Sequence, residues 1–270
     1  MREHRTKNPE HRFKNTKNIS YCLYSVFCVL CSMVFALCSA FFPLKADAAP
    51  LVPEKLIYTI HWSGIKAGNA YLETNNSAEG ITITSRAESA DFISVFYRVE
   101  DIAQSTLYPG VSGYPKNYKI NLTEGRHRRE RETHFENKQG SKSQKVIYQN
   151  KVDNEMLAFN LEKQAFDPLS AFYEIRKRPL QVGRSEYLDI FDNKKLWNVE
   201  VQVLKRERIT VPAGEFNTIV IKPLLQSEGI FMRKGEILIW LTDDDRKVPV
   251  MVKSKIKIGS IIVKLTEGKY

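Results

Sequence analysis

Residues 248–258 read VPVMVKSKIKI, and their alternation decides the fold. Val248, Val250, Val252, Ile256 and Ile258 face one way; Lys253, Lys255 and Lys257 face the other. A period of two with one dry and one wet face marks a strand of an antiparallel sheet. The same period runs outward through the chain. Leu56, Tyr58, Ile60 and Trp62 alternate with Ile57, Thr59 and His61. Ile81 and Ile83 alternate with Thr82 and Thr84, and Tyr118, Ile120 and Leu122 with Lys119, Asn121 and Thr123. Val199, Val201 and Val203 alternate with Glu200 and Gln202. Turn signals fall between such runs: Ser63-Gly64, Glu79-Gly80, Pro109-Gly110, Glu124-Gly125, Gln139-Gly140, Pro212-Ala213-Gly214 and Ile258-Gly259-Ser260. The polar stretch 137–145 reads as a hairpin tip. The expected class is all-β: one antiparallel curved sheet or (half-)barrel of about ten or more strands.

Two segments break the period. Residues 91–99, DFISVFYRV, read as one helical turn opened by Asp91 and leading into a strand. Residues 167–178, DPLSAFYEIRKR, are the best helix in the chain. Asp167 suits the N-cap, Pro168 the first helical position, and Arg176, Lys177 and Arg178 the negative end of the dipole. Pro179 ends it. Leu169, Phe172 and Tyr173 share a face, so this short helix can serve as a lid on the sheet.

The chain has 270 residues, with 41 Lys and Arg against 31 Asp and Glu. Its first 48 residues stand apart. A basic start (Arg2, Arg5, Lys7, Arg12, Lys14, Lys17) precedes an uncharged stretch over 19–44, followed by Ala46-Asp47-Ala48. These three parts spell a secretory signal peptide cut after Ala48. The 26-residue apolar stretch is also long enough for an uncleaved anchor, which needs about 20. Either way the remainder, 49–270, is a single exported β domain, expected in the periplasm of a Gram-negative bacterium. Cys22, Cys28, Cys31 and Cys38 all lie in the apolar stretch, so the exported part has no disulfide, catalytic thiol or Cys-held zinc. Residues 1–48 also hold seven of the basic and three of the acidic residues, leaving 34 and 28, a net +6. That excess is too small to argue for nucleic acid.

Motifs for chemistry are weak. Asp243, Asp244 and Asp245 lack the ligand-rich loop that a hard cation requires and read as a turn. His127 and His134 are seven apart on a strand, on opposite faces, which disfavours zinc. There is no G-x-S-x-G and no Gly-rich phosphate loop. No catalytic residue, metal or cofactor is assigned, and the question of catalysis stays open with nothing to support it.

Two clusters have a structural and a functional reading each. Residues 126–132, RHRRERE, place Arg126, Arg128, Glu130 and Glu132 on one face and His127, Arg129 and Arg131 on the other. They form a solvated edge strand or protruding hairpin, or Arg126, Arg128, Arg129 and Arg131 receive phosphate or carboxylate groups. The aromatics Trp62, Phe92, Phe96, Tyr97, Phe172, Tyr173 and Trp240 sit in or near the irregular segments. They fill the core, or they line an apolar groove under the 167–178 helix.

Six segments, in order, resemble one family. They are 62–68 (WSGIKAG), 95–99 (VFYRV), 167–173 (DPLSAFY), 211–216 (VPAGEF), 239–244 (IWLTDD) and 248–250 (VPV). The chain resembles the secreted bacterial family of Domain of Unknown Function 3108 over about residues 54–267. The resemblance implies export in a Gram-negative bacterium and an all-β domain; it implies no activity and no catalytic residues. The leading functional expectation is a non-catalytic carrier for an apolar or amphipathic envelope ligand such as a lipid. The alternatives are an envelope structural or assembly factor acting by protein contacts, and a hydrolase of envelope polymers. Membrane contact is expected only through the N-terminal segment, if it stays uncleaved.

Overall fold

A computed structural model of the chain describes residues 53–77, 80–109, 113–137, 142–224, 236–255 and 259–270. The stretch expected to be a signal or anchor, with its cysteines, the middle of the expected 137–145 hairpin tip and residues 256–258 lie outside the described residues. The strands are β1 (Glu54–Trp62), β2 (Ile65–Ser77), β3 (Gly80–Ser89), β4 (Val99–Leu107), β5 (Pro115–Glu124), β6 (His127–Asn137) and β7 (Gln144–Asn150). They continue with β8 (Glu155–Leu161), β9 (Ser185–Asp192), β10 (Lys195–Val211), β11 (Gly214–Leu224), β12 (Ile237–Thr242), β13 (Pro249–Lys255) and β14 (Ser260–Lys269). The helices are α1 (Asp91–Ser94) and α2 (Pro168–Arg176).

The fourteen described strands form one antiparallel curved sheet, in the order 8-7-6-5-4-3-2-1-14-13-12-11-10-9. Consecutive strands pair with each other except β8 and β9, and β1 also pairs with β14, which sets the first and last described strands side by side in mid-sheet. The free edges are β8 and β9, consecutive in sequence and joined through α2. These edges approach each other. Phe159 on β8 and Phe191 on β9 have ring centroids 5.1 Å apart, and Lys194 reaches Glu155 at 2.6 Å. Between them, the Phe166 N–H donates to the Asp189 carbonyl and the Phe191 N–H to the Phe166 carbonyl, each at 2.9 Å. Gln144 Oε1 of β7 accepts the Ala165 N–H at 3.0 Å. The sheet thus wraps into a barrel-like form sealed by side chains and two residues of backbone. The Phe166 backbone caps part of the β9 edge, and side chains alone cross to β8.

Burial follows the alternation. Leu56, Tyr58 and Ile60, then Tyr118, Ile120 and Leu122, then Val199, Val201 and Val203, then Val248, Val250 and Val252 all face the core. Two-residue turns carry positive φ at both positions, with a glycine or asparagine at one of them: Ser63 and Gly64 at +48° and +91°, Asn193 and Lys194 at +46° and +69°. One expectation is corrected. The charged strand β6 is no edge; it lies between β5 and β7. Thr133 and Phe135 bury its second half, while the charged first half lies at an end of the barrel, where water reaches it.

The two ends differ. The upper end carries the 63–64 and 125–126 turns and the α1 loop, and the lower end carries α2.

Candidate functional site

At the lower end, α2 is locked onto the sheet. Asp167 caps it as expected: its Oδ1 accepts the Leu169 and Ser170 N–H groups at 2.8 and 3.1 Å. Ser170 Oγ accepts the Asp167 N–H in return at 3.0 Å. Ser105 Oγ of β4 donates to the other carboxylate oxygen at 2.6 Å. Burial pushes the Asp167 carboxyl up to about 6, against these bonds. At the other end of the helix, Arg176 makes a bidentate pair with Glu54 of β1 at 2.6 and 2.8 Å, and both side chains are buried. The Tyr173 hydroxyl also donates to Glu54, and Arg176 donates to the Arg246 carbonyl at 3.2 Å. Burial alone would lower the Arg176 pKa, but the Glu54 carboxylate outweighs it and holds the guanidinium charged. The helix is therefore a sealed plug rather than a loose lid.

Above this plug lies an apolar cavity. Tyr58, Leu72, Val252 and Val263 line it from the sheet, and Phe172 is the α2 residue that enters it. The empty space totals about 480 Å³ when the open mouth is counted. On the scale where a ~150 Å³ cavity binds one benzene, the same recess measures about 40 Å³. The smaller figure decides what fits without movement, because the larger includes open solvent. As it stands, the cavity has room for no more than a small apolar group.

Toward the upper end, two carboxyls lie inside the wall. Asp101 of β4 and Glu124 of β5 are buried. Thr123 N–H donates to Asp101 Oδ1 at 2.9 Å, while Asp101 Oδ2 and Glu124 Oε1 have no hydrogen-bond partner among the described residues. Burial pushes Asp101 up to about 7, against the Thr123 bond. Burial, and then the charge of Asp101, push Glu124 up to about 10. Glu124 is therefore neutral at pH 7. On the next strand Arg131 turns inward toward Asp192, whose carboxyl is raised by burial and held down in part by that guanidinium.

The structure scatters the predicted aromatics. Phe172 enters the cavity. Tyr173 belongs to the Glu54 network. Trp240 points away from its cavity-lining neighbour Ile239 and donates to Glu207 at 2.7 Å. Trp62 ends β1 half-buried, and Tyr97 packs over Gly125. Phe92 and Phe96 are exposed on the α1 loop. The seven residues do not form one groove. Of the four arginines, Arg126 and Arg128 are exposed on the 125–128 turn, and Arg129 and Arg131 are half-buried on the inner face of β6. Asp243–Asp244–Asp245 form a turn: Asp244 Oδ1 accepts the Arg246 and Lys247 N–H groups, each at 3.0 Å. Sequence reading missed Glu54, Asp101 and Glu124. The signal was there, since each acid falls in the dry phase of its strand: Glu54 with Leu56, Asp101 with Val99 and Ala103, Glu124 with Ile120 and Leu122.

No curated protein matches the chain. Among solved structures, it is similar to a β-barrel-like protein of Domain of Unknown Function DUF1849 from Brucella abortus. That match has a TM-score of 0.53 and 15% identity, and covers 81% of this chain and 98% of the other. It supports the barrel-like fold and nothing further. A candidate exported protein with a YmcC-like fold from Bacteroides fragilis matches at a TM-score of 0.31 and 10% identity, covering 86% and 100%. A candidate lipoprotein from Parabacteroides distasonis matches at 0.30 and 11%, covering 80% and 95%. The family model for the proteins of unknown function DUF3108 matches residues 57–266, from the first strand to the last. The chain is a member of the DUF3108 family.

Proposed function

We propose that the protein is an exported, periplasmic, non-catalytic binding module for an apolar or amphipathic ligand of the cell envelope. The observation that carries this reading is the apolar cavity between the concave sheet and Phe172. An open apolar recess walled by a sheet and a helix suits an acyl chain better than a polar metabolite. Its small volume means that binding an acyl chain includes widening of the recess. The test is native mass spectrometry of protein exported to a bacterial periplasm, followed by solvent extraction. The wild-type protein carries a discrete, extractable adduct, and Phe172→Asp loses it while keeping a β-sheet spectrum. A bare mass for the wild type, or equal retention by the variant, contradicts the reading.

A second reading has its own support. The core is well filled and exposed apolar residues cluster on the α1 loop, as suits an envelope assembly factor acting by contact. The hydrolase reading fares worse. It needs two carboxyls that a polymer can reach, and Asp101 and Glu124 are closed off from solvent.

A further inference from the structure

At the upper end, two neighbouring segments present apolar side chains to water. Phe96 is 89% exposed, Val95 78%, Ile65 61% and Phe92 55%. They come from the start of β2 and from the α1 loop, which the Ala90 N–H ties to the Ala67 carbonyl at 2.8 Å. The loop is fixed from within as well. Ser94 Oγ lies 2.7 Å from Ser89 Oγ, which accepts the Val99 N–H at 2.9 Å. On its far side the Gly125 N–H donates to the Arg98 carbonyl at 2.7 Å, and Tyr97 covers Gly125. Phe92, Val95 and Phe96 are thus held outward by a pinned turn. Such a surface costs solubility unless something covers it.

Charge says what covers it. Lys66, beside Ile65, and Arg126 and Arg128, on the adjoining turn, are exposed and make no ion pair with the described residues. Arg98 is paired with Glu100 at 2.6 Å, and Asp91 is the opposing charge on the loop itself. Aromatic and aliphatic tips ringed by unpaired cations match a bilayer surface with anionic headgroups, where rings sink into the interface and cations meet phosphates. We propose that this upper rim docks on an anionic membrane surface, with Phe92, Val95, Phe96 and Ile65 entering the interface and Lys66, Arg126 and Arg128 contacting lipid phosphates. The inference goes beyond the cavity reading and stands or falls separately from it, since Phe172 lies at the other end of the barrel.

The experiment places a reporter at the rim. Phe96→Trp leaves packing intact, because the side chain is already in water. The chain recovered from a bacterial periplasm is titrated with phosphatidylglycerol–phosphatidylethanolamine vesicles carrying brominated acyl chains, and with phosphatidylcholine vesicles as the neutral control. Relative to wild type, the new tryptophan shifts its emission to the blue and is quenched by the anionic vesicles, with far weaker changes on the neutral ones. Adding Arg126→Glu and Arg128→Glu weakens the response about tenfold. No shift and no quenching on anionic vesicles overturns the proposal and points to a protein partner for the rim. An equal response on neutral vesicles, or none of the loss from charge reversal, overturns it too. The reporter sits at the rim, so a retained N-terminal segment does not mimic the signal.

Discussion

The two ends of the barrel-like sheet treat buried charge and exposed apolar surface in opposite ways. At the α2 end, both Glu54 oxygens are taken by Arg176 and Tyr173, and the Asp167 carboxylate accepts three donors. At the α1 end, Asp101 Oδ2 and Glu124 Oε1 are buried without a partner among the described residues, and Phe96 and Val95 stand in water. An unpaired buried polar group costs stability, and an exposed ring costs solubility. The difference teaches that one end is built to hold the fold and the other retains features that the fold alone does not need. Function is better sought at the second end and in the cavity between.

The comparison breaks first at Arg176. Arg176→Met leaves the Glu54 carboxylate buried without its counter-charge, with only the Tyr173 hydroxyl still donating to it, which costs about 3–5 kcal/mol. Guanidinium denaturation checks it, and a loss under about 1 kcal/mol means that the lower end is not the anchor. The double change Glu54→Leu with Arg176→Met recovers most of the loss, because no charge is then left unpaired.

The next effect has the opposite sign and depends on pH. Free Asp and Glu side chains titrate near 3.9 and 4.3. In the folded protein Asp101 is raised to about 7 and Glu124 to about 10. The folded state therefore binds their protons more tightly than the unfolded chain. This contribution is complete below about pH 4 and fades as pH climbs through 7 for Asp101 and on toward 10 for Glu124. Asp101→Asn keeps an oxygen for the Thr123 N–H but no charge. It should be near neutral at pH 4 and stabilise by at least about 2 kcal/mol at pH 8, since each tenfold gain in proton affinity on folding corresponds to about 1.4 kcal/mol. Denaturation at the two pH values reads this out, and an equal effect at both removes the buried acid from the account.

The smallest effect is at the rim. Replacing Phe92, Val95 and Phe96 together by Ser should change stability by less than about 1 kcal/mol, since exposed positions contribute little to the fold. A loss of several kcal/mol in the same denaturation assay would show that the loop is structural and erase the contrast between the ends.

Much of the fold was legible because strand alternation is a local signal. The dry phases of 56–60, 118–122, 199–203 and 248–252 match the buried face. Asp167, Pro168 and Pro179 mark the helix because capping depends on neighbours in sequence. Strand order was not legible: pairing β1 with β14, and sealing β8 to β9, are contacts between distant residues. Charge count misled at β6, because a strand with Arg129 and Arg131 inside can be interior when it begins at an open end of a barrel. The candidate site was legible only in part. Phe172 followed from the helical face, but the aromatic set was pooled by residue type, and the fold distributes its members among α2, the α1 loop and the two strands β1 and β12. Asp101 and Glu124 could have been found by asking which acids share a register with valine and leucine.

The most direct test of the division between the ends is hydrogen exchange with and without phosphatidylglycerol-containing vesicles. In the free protein, α2 and the start of β1 should exchange slowly and residues 91–98 quickly. Vesicles should slow exchange over 91–98 and at the 63–66 turn while leaving α2 unchanged. Protection appearing at α2 with 91–98 unaltered would contradict the account, since the closed end would then be the one that meets the membrane.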